Sequence, residues 1–385
     1  MADDRGRYGH LRREAADEVS FGRPRPRLRL PGWVSDRRVG AGVALVVVAA
    51  AVAAAVAATG HGPRRPPRAA AVTVIHVGHR LLGVRANWDL FAAGPGVLLR
   101  IRLAAGVITR TAVPPLLSSG PVYFVVGLRQ AIIRPLDIVP GYLIPDGLRA
   151  RPLPAALGRG GQAFPGPGPG QLWVQTGFSG RGVLSLENYL GQRLRSSITF
   201  PGPSPYLPVP DGRGYFLVQD GGVVYDVRPG RPWRVGAGTI DAAGPSAWLV
   251  TRCRHGRCRY EVIDPANGAR RLVPGGAGRP ATAPSGVISP NGLIAAVVRN
   301  GPGGRWSVHL INLATGAALV PRLSASNSAG LAGSTPSLAW SPDSRWLFAV
   351  TSTGSLVAID PATGQSRGLG VALPPVSQLM IRAAG

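Results

Sequence analysis

The chain has 385 residues, 45% of them hydrophobic, enough to bury a sizeable core in one large domain or two ordinary ones. Its 43 basic residues are all Arg, against 18 acidic residues, for a formal charge of +25. The absence of Lys excludes a Walker phosphate loop, a Schiff-base lysine and a protein-kinase ATP lysine, each of which needs an ammonium on a flexible stem.

Residues 1–38 hold ten Arg and six acidic residues, include Arg23-Pro24-Arg25-Pro26-Arg27, lack apolar periodicity and read as a disordered basic cytoplasmic segment. Residues 39–59 are uncharged and rich in Val and Ala, which is the length and chemistry of one transmembrane helix. Six Arg flank this run on its N-terminal side and three on the other. The asymmetry orients the N-terminus to the cytoplasm, so a single-pass protein of the cell membrane with an extracytoplasmic C-terminal domain is expected. A cleaved export signal is the rival reading, because Arg37-Arg38 precedes the run and its Ala-rich end offers small-x-small sites. Residues 60–71, with Gly62-Pro63-Arg64-Arg65-Pro66-Pro67-Arg68, read as a short stiff linker.

The remainder, 72–385, is organised by a repeat. Ile263-Asp264-Pro265-Ala266-Asn267-Gly268 returns as Ile311-Asn312-Leu313-Ala314-Thr315-Gly316 and again as Ile359-Asp360-Pro361-Ala362-Thr363-Gly364, with a step of 48 residues both times. Less perfect copies lie at Ile101 to Gly106, Leu136-Asp137-Ile138-Val139-Pro140-Gly141, Leu186-Glu187-Asn188 and Tyr225-Asp226-Val227-Arg228-Pro229-Gly230. Seven anchors at an average step of 43 residues, each preceded by a hairpin with a Gly-bearing turn, predict an all-β fold: a seven-bladed β-propeller of four-stranded antiparallel blades. Trp88, Tyr123, Trp173, Tyr215, Trp248 and Trp346 recur near the start of the hairpins and read as packing between blades. The last apolar stretch, Ser377 to Arg382, has no blade of its own. It is expected to supply the inner strand that the first hairpin lacks, with Val72 to Val77 as the runner-up, because an unclosed propeller exposes strand edges.

Ile288-Ser289-Pro290-Asn291-Gly292, Trp340-Ser341-Pro342-Asp343-Ser344 and the weaker Val209-Pro210-Asp211-Gly212 stand ahead of the hairpins. At these residues the chain resembles the WD40-like and TolB-like propellers, whose repeats carry a Ser-Pro-Asp-Gly turn after the first strand. Gly-His and Trp-Asp pairs do not recur from blade to blade as they do in true WD40 repeats, so the TolB-like bacterial propellers are the nearer comparison. The resemblance implies a binding or scaffolding role carried by loops.

Cys253 and Cys258 flank the turn of the fifth hairpin, with four residues between them, and are expected to form a disulfide. Asp137, Glu187, Asp226, Asp264, Asn312 and Asp360 recur once per blade, the behaviour of turn-capping side chains and not of a calcium site. His76 and His79, the one close histidine pair, have no matched carboxylate and read as solvated. No catalytic, metal or cofactor residues are singled out and no cofactor is expected. The expected function is a non-catalytic module binding an unidentified envelope protein or an anionic polymer, as a monomer and not on nucleic acid. The alternative is a propeller enzyme, lactonase-like or quinoprotein-like, with its site at the central channel.

Overall fold

The computed structural model describes residues 71–116, 122–135, 141–154, 157, 162–176, 183–200, 208–230, 232–278, 286–300, 306–321, 323 and 338–383. All belong to one compact unit within Pro66–Gly385. The segments 1–38 and 39–59 and nearly all of the linker lie outside the described residues. Among the described residues no helix is long and apolar enough to cross a membrane, and this overturns the expected single-pass, extracytoplasmic placement, which rested wholly on a helical span.

The chain is built of short antiparallel strands arranged as a propeller of four-stranded blades. Val122–Val126, Gln130–Pro135, Tyr142–Pro145 and Arg151–Pro152 make the second sheet in chain order, each strand paired with the next. Ala163–Pro165, Gln171–Thr176, Val183–Asn188 and Arg193–Thr199 make the third, and Val209–Pro210, Phe216–Asp220, Val223–Val227 and Trp233–Ala237 the fourth. The last sheet is Leu338–Trp340, Leu347–Val350, Leu356–Ile359 and Ser366–Gly368.

The expected count of seven separate blades is corrected. Among the described residues five sheets stand alone as blades, and the remaining strands form one eight-stranded sheet. That sheet joins Thr239–Ala243, Trp248–Arg254, Arg257–Ile263 and Arg270–Ala277 to Gly286–Ile288, Ile294–Asn300, Trp306–Asn312 and Ala318–Leu319. The seam is a short parallel pairing of Ala242 with Gly286 and Ala243 with Val287. Gly286 makes the seam possible: a Cβ there would lie 2.3 Å from the Asp241 carbonyl oxygen, so only a residue without a side chain lets the two backbones come together.

The first sheet is closed by the C-terminus, as the unpaired apolar stretch suggested. Gln378–Ala383 pairs antiparallel with Trp88–Gly94, in register from Gln378 opposite Ala93 to Ala383 opposite Trp88. Val97–Arg102 and Val107–Ala112 follow, and Val72–His76, the runner-up, takes the opposite edge against Val107–Ala112. The chain end therefore links the first blade to the last, and it covers the edge that Trp88–Gly94 would otherwise expose.

Strand side chains alternate between faces, and here both faces of a sheet are covered by neighbours, so the strands read as continuous apolar runs. Leu90 and Ala92 pack with Phe348 and Val350 of the last sheet, while Phe91 and Ala93 pack with Phe124 and Ile133 of the second. The same exchange continues around the molecule. Val125 and Ile132 meet Leu172 and Val174, Trp173 and Leu184 meet Phe216, and Leu217 meets Trp248. Trp173 is fully buried, and its indole Nε1 donates to Gly214 O at 2.7 Å, tying the third sheet to the fourth.

Candidate functional site

The repeated turns are local constructions. Asp264 Oδ1 accepts from Ala266 N at 2.7 Å, Asn312 Oδ1 from Ala314 N at 2.9 Å, and Asp360 Oδ1 from Ala362 N at 2.9 Å. Each turn ends at a glycine with φ between +71° and +76°, Gly268, Gly316 and Gly364, whose N–H donates back to the anchor carbonyl at 2.8 Å. In the Ser-Pro turns, Ser289 and Ser341 accept from the N–H of Ile294 and Trp346 and donate to Asn291 and Asp343. The third such turn puts Asp211 in the serine's place, its Oδ1 accepting from Arg213 N at 2.7 Å and Tyr215 N at 2.9 Å.

The other anchors differ. Glu187 and Asp226 stand inside strands, both buried, and neither caps a turn. The cap in the third blade is one residue further on, where Asn188 Oδ1 accepts from Leu190 N at 2.9 Å and Gln192 N at 3.0 Å. Asp226 instead meets Arg228 at 2.8 Å, and burial nevertheless raises its pKa above the usual carboxylate range. Glu187 is likewise pushed up by burial, tempered by Arg193 and Arg134. Asp137 lies outside the described residues. Cys253 and Cys258 are cross-strand partners with Cα atoms 4.0 Å apart and are joined in a disulfide at the tip of the hairpin.

Charge is partitioned by depth. Of the eleven described acidic residues, Asp89, Glu187, Asp211, Asp226, Asp241 and Glu261 are buried. Arg is mostly outside. The fourth strands of the blades, Val107–Ala112, Arg151–Pro152, Arg193–Thr199, Trp233–Ala237, Arg270–Ala277, Ala318–Leu319 and Ser366–Gly368, carry eight Arg and no acidic residue. All eight, among them Arg110, Arg151, Arg195, Arg234 and Arg367, are exposed. Four are held by neighbours: Arg193 at Ser185, Arg270 at Glu261, 3.4 Å away, Arg271 at the Leu313 carbonyl, and Arg367 over the Trp346 ring, 5.9 Å from its centroid. Seven of the eight stand on edge strands of their sheets and Arg110 on the strand beside the edge strand Val72–His76, so this perimeter carries a single sign of charge. In sequence these Arg lie roughly one blade length apart, and a propeller brings residues so spaced onto one circumference.

Among the described residues no three His, Cys, Asp or Glu side chains are grouped as metal ligands. No family model matches the chain, and no curated protein matches it. Among solved structures it is similar to TolB from Acinetobacter baumannii, at 13% identity over 73% of this chain and 79% of that one, with a TM-score of 0.41. It is also similar to a candidate 6-phosphogluconolactonase from Bacteroides fragilis, at 11% identity over 77% of this chain and 98% of that one, with a TM-score of 0.47. A third is AztD from Citrobacter koseri, at 11% identity over 78% and 98% of the two chains and a TM-score of 0.45. At these values the likenesses carry no argument about activity.

Proposed function

We propose that this propeller is a non-catalytic binding module whose basic perimeter engages an anionic macromolecule. In this reading the eight-stranded sheet counts as two blades, which sets seven four-stranded units around one axis. The observation that carries the proposal is the segregation of charge: eight exposed Arg and no carboxylate on the fourth strands, with six of the acidic residues buried. Interspersed charges of both signs would largely cancel beyond a Debye length of about 8 Å at physiological salt, whereas a one-sign surface steers and holds an oppositely charged partner.

The test titrates the full chain into fluorescent poly-glutamate at low and high salt. Binding that weakens steeply with salt is expected. Changing Arg110, Arg151, Arg195 and Arg234 together to Gln should weaken it by more than about tenfold, or more than about 1.4 kcal/mol. Surface changes of this kind should leave the thermal midpoint in place. Absence of binding, or binding that the fourfold variant leaves intact, would overturn the proposal.

A further inference from the structure

We infer that the turns at 128–129, 146–149 and 189–190 together form a docking surface for an acidic, leucine-bearing segment of a partner protein. The inference rests on the binding-module reading above and adds a contact area distinct from the arginines of the fourth strands.

In an antiparallel meander, the connections between first and second strands and between third and fourth strands emerge at the same end of the sheet. Leu128 lies in the first kind of connection in the second sheet, Leu148 in the second kind there, and Leu190 in the second kind in the third sheet. Three leucines of adjacent blades thus share one end of the molecule, at 44%, 60% and 64% exposure. Leucines scattered singly on a surface need no explanation, but a group of them does.

The turns touch. Asp146 N donates to Arg129 O at 2.9 Å, laying the second turn against the first. Leu128 N donates to Pro169 O at 2.8 Å, holding the first turn to the third blade. Tyr189 packs directly over Gly127, where a Cβ would lie 2.3 Å from the tyrosine Cζ, so the residue before Leu190 is anchored against the residue before Leu128. The support below is firm, since Arg382 of the closing strand donates to Gly127 O and is paired with Asp146 and Asp89. A platform fixed in this way loses little conformational freedom when a partner binds.

Charge selects the partner. Each of two leucines is followed by an exposed arginine, Arg129 and Arg149. The acid in these turns, Asp146, is already neutralised by Arg382 and by Arg100 at 3.2 Å. Aliphatic side chains alternating with unopposed guanidinium groups complement a segment in which leucines alternate with carboxylates. Such a segment would lay its apolar side chains on the leucines and its acids on the arginines.

The test uses the full chain and two fluorescent probes, a peptide of repeated Glu-Leu pairs and a Glu-only peptide of equal length. Expected is tighter binding of the Glu-Leu probe, weakened about tenfold by Leu148→Ser with Leu190→Ser and, separately, by Arg129→Gln with Arg149→Gln. The leucine pair of substitutions should leave Glu-only binding unchanged, and both double variants should keep the parent melting midpoint. Equal affinity for the two probes, or Glu-Leu binding untouched by either double variant, would overturn the docking surface while leaving the basic perimeter standing. Loss of both probes from the parent chain would overturn both readings. Stronger binding to vesicles of anionic lipid than to the Glu-Leu peptide, abolished by the leucine substitutions, would assign the patch to a lipid surface and overturn the peptide assignment.

Discussion

His309 shows how burial between sheets sets the behaviour of a single side chain. Its Nε2 lies 3.0 Å from Ser307 Oγ, and Arg299, from the paired strand, stands close by with its guanidinium 5.5 Å from the Tyr260 ring centroid. Burial first, and the Arg299 charge second, hold the imidazole below its ordinary value of 6.5. From that value down to the lowered one, the unfolded chain binds a proton that the folded chain does not, so stability falls as pH drops through the window and is flat above it. His309→Gln should therefore flatten the loss of thermal midpoint between about pH 7 and about pH 5. A slope identical to that of the parent would show that His309 is not the titrating group. None of this was legible in the sequence. In a propeller both faces of a strand are covered, so alternation does not tell which polar residue meets which across the gap, and His309 and Arg299 come together only when the neighbouring strands pair.

At the scale of the element, the legible parts were the ones built by local chemistry. Asp264, Asn312 and Asp360 bond within their own turns, so the turn can be read from six consecutive residues wherever it recurs. The register slipped where the motif decays. In the third blade the capping role belongs to Asn188, and Glu187 is a buried strand residue whose Oε2 has no hydrogen-bond partner. The two neighbours should respond oppositely to substitution. Asn188→Ala removes two turn hydrogen bonds and should cost about 1–2 kcal/mol in urea unfolding. Glu187→Gln at neutral pH should cost nothing or stabilise, because burial raises the Glu187 pKa and the folded state disfavours its charge. The contribution of a raised acid is present at low pH and lost as pH rises through the shifted value, so the gain should vanish in acid. A Glu187→Gln loss equal to that of Asn188→Ala would return the capping role to Glu187. The parallel seam at Gly286 was silent for a different reason, since it depends on a close backbone approach between strands more than forty residues apart.

At the scale of the whole molecule, the decisive contact is made by the last few residues of the chain. Gln378–Ala383 contributes a full strand to the first sheet, inserts Leu379 into the core shared with the last sheet, and carries Arg382 into a buried network. Arg382 meets Asp89 at 3.0 Å, Asp89 meets Arg100, and the Arg382 guanidinium lies 4.6 Å from the Phe91 ring centroid. Asp89 is 1% exposed and keeps Arg100 at 2.6 Å when Arg382 is removed, so Arg382→Met should cost less than the roughly 3–5 kcal/mol of a buried charge left without a partner. Losing the strand adds an unpaired edge and an emptied core position, and both ends of the closed arrangement are weakened at once. Truncation after residue 377 should accordingly lower the thermal midpoint far more than Arg382→Met does, and a peptide spanning 378–385 added in excess should restore part of the loss. Raising salt should leave the closure of the parent chain nearly unaffected, because its ion pairs are largely withdrawn from solvent, while the same salt releases an anionic partner from the exposed arginines. Measuring the melting midpoint and poly-glutamate binding across one salt series separates the two: a midpoint that falls in step with binding, or a truncated chain that melts with the parent, would show that closure does not rest on this strand and its buried pairs.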